Sequence, residues 1–307
     1  MPKVDLLPIY LQFTTLMLVG CFLGRCLPTR FIDRLGKFLF WVGIPLGTVA
    51  FLRRANLSFS LWMAPVTAWL SILMGVGVAW AYLCWRSQQG ENRCLPATKG
   101  SFLLTSMLGN TGYIGYPVAL AISGPDYFPW AILFDFGSTF GSYGLGVILA
   151  AHFGVGQAQS NLAWQALVKN PTLWAMLASF LLRPIPFPPF LDKSLLGIGW
   201  LVIALALVLM GMRLSQISSL QKVRLALVSV SIKMLLVPLL VNGLLLALGI
   251  TGAIHRVMLI QTAMPPAFAT LIISEAYGLD KTLTVTSLTI GSFGLVLTLP
   301  LWLWLLG

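Results

Sequence analysis

Acidic residues are scarce: the 307 residues hold 8 Asp and Glu against 19 Lys and Arg, and only 9% of positions carry a charge of either sign. Water-soluble domains are charged at about a quarter of their positions, so this chain has too little polar surface to wrap a globule in water. Long polar segments are absent as well. The two longest, 86–99 and 154–169, are too short for a nucleotide-binding fold, and no GxxxxGK[ST] loop exists to cradle phosphates. Both absences exclude ATP-driven pumping by this chain. The cations giving the net +11 stand singly between apolar runs and form no basic face, which excludes nucleic acid as a partner. The four cysteines, Cys21, Cys26, Cys84 and Cys94, have no CxxC spacing, and the two histidines, His152 and His255, lie far apart. That pattern excludes a metal site and calls for no cofactor; the cysteines read as packing residues and the histidines as interfacial ones. No Ser/His or paired-Asp arrangement suggests an enzyme.

Apolar residues are abundant: 58% of the chain is hydrophobic, mean hydropathy is +0.91, and there are 11 Trp. A hydrocarbon core about 30 Å thick takes roughly 20 apolar residues per helix. The runs place spans at 8–26, 35–52, 60–85, 100–123, 128–152, 170–184, 194–213, 225–249, 255–277 and 283–306. The fold class is thus an all-α membrane protein of about ten transmembrane helices. Asp5 and Pro8 interrupt the basic start that a secretory leader needs, and no A-x-A pattern follows, so the first run reads as a span. Taking the N-terminus as outside, the inner loops hold Arg25, Arg30, Arg34, Lys37, Arg86, Arg93, Lys99, Lys169, Arg213, Lys222, Arg224 and Lys281. The outer segments hold Lys3, Arg53, Arg54, Arg183, Lys193 and Arg256. Positive residues favour the cytoplasmic side, which puts both termini outside a plasma (inner) membrane.

An offset of 154 lays Ser123-Gly124-x-Asp126 on Tyr277-Gly278-x-Asp280 and Gly137-Ser138 on Gly291-Ser292. The same offset brings Gly109-Asn110-Thr111-Gly112 onto Ala263-Met264-Pro265-Pro266. This divides the chain into repeats 1–153 and 154–307. A repeat of five spans inserts its second copy upside down, and inverted repeats mark secondary transporters. Both copies are interrupted at the same place. Gly109 to Gly112 with Gly115-Tyr116-Pro117 break the fourth span, and Met264-Pro265-Pro266 break the ninth, because Gly costs a helix about 1 kcal/mol and interior Pro about 3. Each second half then begins with unpaired N–H groups, around Gly112 and Tyr113 and around Ala267 and Phe268, carrying about half a positive elementary charge. Two such starts converging at mid-membrane form an anion site. Asn110 and Thr111 add donors, and Tyr113, Tyr116 and Phe268 supply apolar walls.

Other polar residues stand alone in apolar surroundings. Asp135, flanked by Phe134 and Phe136, is either a proton-coupling carboxylate or a permanently hydrogen-bonded structural one. Lys233 either snorkels toward the headgroups or faces the cavity as a second charge or a partner for Asp135. Gln261 lies one turn before the second break and either reaches the site or packs helices. Ser138 and its counterpart Ser292 are weaker candidates. The pairs Gly20/Gly24, Gly43/Gly47 and Gly137/Gly141 permit close helix approach.

Gly109-Asn110-Thr111-Gly112-Tyr113-Ile114-Gly115-Tyr116-Pro117, Lys169-Asn170-Pro171, and Ala263-Met264-Pro265-Pro266-Ala267 with Glu275-Ala276-Tyr277-Gly278-Leu279-Asp280 resemble the bacterial auxin efflux carrier family, which is related to plant PIN proteins. The resemblance implies two inverted repeats of five spans with external termini. It also implies a scaffold of helices one, two, six and seven and a transport domain of helices three, four, five, eight, nine and ten that moves as an elevator. The implied cargo is a small organic anion, auxin-like or dicarboxylic, carried by a homodimer in the lipid bilayer. Asn110, Pro117 and Pro265 then fall at the crossover that holds the substrate carboxylate. Where many members carry Asn after the second break, this chain has Ala267, Phe268, Ala269 and Thr270, and it lacks the long central loop of the plant proteins. The coupling ion is left as proton or sodium, the latter as in bile-acid symporters, which share this architecture. A sensor or binding module that moves no solute is the alternative from another class.

Overall fold

The computed structural model describes residues 6–53, 59–89, 94–154, 168–215 and 221–306, and these form helices and one isolated antiparallel bridge. In chain order the helices are α1 (Leu6–Cys26), α2 (Thr29–Leu52), α3 (Met63–Gln88), α4 (Pro96–Met107) and α5, a π turn Thr111–Gly115 running into Tyr116–Ser123. There follow α6 (Phe128–Phe153), α7 (Pro171–Leu182), α8 (Pro189–Ser215), α9 (Val223–Ala247), α10 (Gly252–Thr262), α11 (Ala269–Ala276) and α12 (Lys281–Leu306). Six of them, α2, α3, α6, α8, α9 and α12, are long and apolar enough to cross a membrane. Their outward faces are apolar, with Trp304 78% and Leu297 77% exposed, a surface suited to lipid and not to water. Lys3, Arg54, Arg93 and most of 154–169, where the two proposed repeats would meet, lie outside the described residues.

The apolar runs at 100–123 and 255–277 are each two helices, α4/α5 and α10/α11, parted where Gly and Pro interrupt the sequence. Proline also shapes three of the helices from within. The π turns at Leu39–Gly43 in α2, Thr111–Gly115 in α5 and Ile232–Leu236 in α9 are each followed two residues later by a proline, Pro45, Pro117 and Pro238. A proline has no N–H and its ring crowds the carbonyl four residues back, so the hydrogen-bond register slips by one residue just before it.

α1 lies along α8, and α2 packs against α7 and α8; α3, α4, α6, α9, α10 and α12 pack among themselves. Contact between α1 and α8 is close enough that a Cβ on Gly20 would lie 2.1 Å from the Val208 carbonyl oxygen, and one on Gly211 2.1 Å from that of Met17. Gly47 likewise faces Gly199. The Gly20/Gly24 and Gly43/Gly47 edges are therefore filled within the chain. Cys26 and Cys84 are exposed, so the packing role expected for all four cysteines fails for these two; all four are free thiols. His255, in the first turn of α10, is buried and bonded to Asn242 at 2.8 Å.

At one end of the bundle Asp280 closes the start of α12, its Oδ1 accepting the Leu283 N–H at 3.1 Å, in the manner of an N-cap. Its other oxygen accepts from Thr98 at 2.6 Å and from Lys222. Burial pushes the Asp280 carboxyl up, but these hydrogen bonds and the Lys222 charge outweigh it and hold the group below the usual carboxylate range. Thr98, Lys222 and Asp280, from three stretches all read from the sequence as inner loops, thus meet at a single end.

Candidate functional site

The two breaks touch. Asn110 N–H donates to the Pro265 carbonyl at 2.8 Å and Ala267 N–H to the Leu108 carbonyl at 2.9 Å, so Gly109 and Pro266 form an antiparallel bridge. Both stretches need extended backbone here, and each leaves the helical register because of its own Gly or Pro residues. The bridge fixes the starts of α5 and α11 beside each other, with Asn110, Thr111, Pro265 and Ala267 all buried.

A cavity of about 370 Å³ opens over this bridge. Gly109, Asn110, Thr111, Gly112 and Tyr113 line it from one break and Ala267, Phe268 and Ala269 from the other. Asp135, Ser138 and Tyr143 come from α6, Asn170 and Thr172 from the start of α7, Phe40 from α2 and Arg213 from α8. Asp33 and Lys37, both exposed, also line it. The cavity therefore lies between the α1/α2/α7/α8 group and the remaining helices.

Pairing at the floor is selective. Asn110 Oδ1 accepts the Tyr113 N–H at 3.2 Å, which caps α5 and leaves its amide NH2 with no partner among the described residues. Gly112 N–H and Phe268 N–H likewise have no acceptor among the described residues, and both residues line the cavity. Four N–H groups were expected to be free, at Gly112, Tyr113, Ala267 and Phe268. Tyr113 and Ala267 are used inside the protein, by the cap and the bridge, so two backbone donors and one amide remain. The Asp135 carboxylate accepts from Thr111 Oγ1 and, at 2.9 Å, from the Tyr116 hydroxyl. It thus stands against the start of α5, where negative charge is favoured.

Several expected site residues lie elsewhere. Tyr116 turns its hydroxyl to Asp135 and does not line the cavity, and Pro117 packs behind α5 against a small void shared with α2 and α8. Pro265 and Pro266 form the bridge but no part of the cavity lining. Gln261 donates to the Ala131 carbonyl at 3.3 Å, and a Cβ on Gly115 would lie 2.0 Å from its Oε1, so it packs α10 behind the site. Ser292 is buried with a hydroxyl that has no partner among the described residues, away from the cavity, whereas Ser138 lines it. Lys233 is 2% exposed and donates to the Thr262 carbonyl at 2.7 Å. It neither snorkels nor faces the cavity, because the nearest carbonyl needing a donor lies inside the bundle.

Arg213 is the functional candidate the sequence reading missed. Counted there as a loop cation, it instead stacks over the Phe268 ring, 3.9 Å from the centroid, at the cavity wall. The one signal available was its place at the end of a long apolar run, in the last turn of α8.

Residues 157–303 match a family described as membrane transport protein. An uncharacterized transporter of Methanocaldococcus jannaschii is 31% identical over 212 residues, which is 67% of this chain and 68% of that protein. An uncharacterized transporter of Methanothermobacter thermautotrophicus is 26% identical over 271 residues, 87% of each chain.

Proposed function

The chain belongs to the membrane transport protein family, the auxin efflux carriers, whose members are multi-pass membrane transporters and not enzymes, and from that premise we propose that it is a secondary transporter of small organic anions. The observation that carries this reading is the bridge between the two broken helices. It gathers the free N–H groups of Gly112 and Phe268 and the amide of Asn110 at one cavity floor. Backbone donors at helix starts hold a carboxylate without adding a charge that would trap it. Tyr113, Phe268 and Phe40 provide apolar walls for the organic body, and Arg213 offers a cation at the wall.

In this reading the ten spans form two inverted repeats, 1–153 and 154–307, with α4/α5 and α10/α11 as their equivalent broken fourth helices. α1, α2, α7 and α8 form the scaffold, and the rest move past it as an elevator. Support comes from the packing, which is dense within each group, and from the cavity, whose two walls belong to different groups. The cavity mouth at Asp33 and Lys37 lies on the cation-rich side, which reads as inward-open with both termini outside. The homodimer expected of the family would have to use apolar faces other than the two glycine edges filled by α1/α8 and α2/α8 packing.

Asp135 is the proposed proton-coupling residue. An ionised carboxylate already at the start of α5 competes with a carboxylate cargo for the same positive end, so cargo binding favours the protonated form. The test is a thermal-shift screen of mono- and dicarboxylates on the purified protein, then liposome flux of each hit under imposed proton and sodium gradients. Flux driven by a proton gradient is the expected result. Hits that bind but never cross the bilayer would support a sensor and overturn transport.

A further inference from the structure

The second break strips its own helix of donors. In a continuous helix the Gln261 and Thr262 carbonyls would accept from the N–H groups of residues 265 and 266, but both are proline and have none. Met264 N–H reaches back to the Gln261 carbonyl at 3.4 Å, and the Thr262 carbonyl is left to the Lys233 ammonium at 2.7 Å. The C-terminal end of α10 carries about half a negative elementary charge, so a cation is favoured there on electrostatic grounds as well.

The lysine is held in place for this. It lies in the π turn Ile232–Leu236, whose Met234 carbonyl accepts the Trp302 Nε1–H at 2.9 Å. Its Cε and Nζ lie 3.0 and 3.1 Å from the point a Cβ on Gly109 would occupy, so the ammonium reaches the bridge from outside the cavity lining. Among the described residues no carboxylate forms an ion pair with it. At the repeat offset of 154 the matching position is Ala79, in the half whose break lacks paired prolines. The cation is present only where the carbonyl end needs one.

In transporters with discontinuous helices, such carbonyl ends are where sodium is coordinated. We propose that the Lys233 ammonium is a resident cation filling that place at the carbonyl end of α10, so that this chain moves its solute without sodium. The proposal rests on reading α4/α5 and α10/α11 as a transport core. It also accounts for a cation buried in the bundle that neither the cavity nor a headgroup can reach.

The first measurement needs no identified cargo, and the flux arms use a carboxylate hit from the thermal-shift screen. Unfolding midpoints of purified wild type, Lys233→Ala, Lys233→Met and Lys233→Arg are compared in sodium, n-propylammonium and choline chloride at equal ionic strength. Wild type and Lys233→Arg should show no difference among the salts. Lys233→Ala should unfold at lower temperature and be raised toward wild type by sodium or propylammonium but not by choline. Lys233→Met, which fills the space without charge, should stay low in all three. A sodium-specific rise in wild type, or wild-type stability of Lys233→Met, would overturn the proposal, as would loss in Lys233→Ala with no cation-specific recovery. If the neutral variants do not fold, flux by wild type and Lys233→Arg decides, since a sodium-gradient requirement in either contradicts it. Ion-specific rescue in a protein that carries no carboxylate would sink the transport reading and leave the resident cation standing.

Discussion

Replacing Asn110 separates its two jobs. Its Oδ1 caps α5 through the Tyr113 N–H at 3.2 Å, while its NH2 has no partner among the described residues and the residue lines the cavity. Asp is as good an N-cap as Asn, whereas Ala costs about 1 kcal/mol at such a position. Asn110→Asp should therefore keep the fold near wild-type stability and remove the amide donor. A hydrogen bond to a charged group contributes about 1.5–3 kcal/mol, and each ~1.4 kcal/mol is tenfold in affinity. Loss of the donor predicts carboxylate binding roughly 10- to 100-fold weaker, with repulsion by the new carboxylate adding to it. Asn110→Ala should show a similar loss of binding and a lower unfolding midpoint as well. Titration of a carboxylate hit against each variant, beside thermal melts, gives both numbers. Wild-type affinity in Asn110→Asp would show that the anion is held somewhere other than this crossover.

Three further outcomes follow from the same geometry. Asp135→Asn keeps one oxygen that can accept from Thr111 or Tyr116 and an NH2 that can donate to the other hydroxyl, but it cannot release a proton, so flux should become insensitive to an imposed pH gradient; an unchanged pH response with full flux would remove Asp135 from coupling. Asp280 has its folded pKa held below the unfolded value, so its contribution to stability is complete above about pH 3.9 and is lost as pH falls through the folded value. Melts of wild type should worsen in that acid window, and Asn in its place should lower the midpoint at pH 7 while removing the acid loss; equal acid sensitivity in both would refute this. Gly211→Leu puts its first carbon 2.1 Å from the Met17 carbonyl oxygen, an overpacking that costs about 1–3 kcal/mol or more, whereas Gly77→Leu meets no heavy atom within 4 Å of its Cβ and should melt as wild type.

The parts of this fold that reside in local composition were legible in the sequence. Apolar runs located the helices, and Gly109, Gly112, Pro265 and Pro266 located both breaks, since a helix answers directly to residues that cannot propagate it. Partnering across the bundle was not legible. Tyr113 and Ala267 offered N–H groups that looked free until the cap and the bridge claimed them. Gln261 takes the packing role, one of the two its position allowed, and Arg213 lines the cavity although it read as a loop cation, because which side of a helix faces a cavity is decided by the neighbour it packs on. Gln261 meets Gly115 and the Ala131 carbonyl; Arg213 meets Phe268. Lys233 was traceable in principle, since two consecutive prolines leave two carbonyls short of donors, and a buried amine within reach answers that need.

The central claim is that negative charge on the cargo is held by the uncharged starts of two broken helices. Counterflow in liposomes containing the purified chain tests it most directly, comparing an organic acid that stabilises the protein with its primary amide, which has nearly the same shape and no charge. The account predicts saturable exchange of the acid, none of the amide, and loss of the acid's exchange in Asn110→Asp. Equal exchange of acid and amide would contradict it.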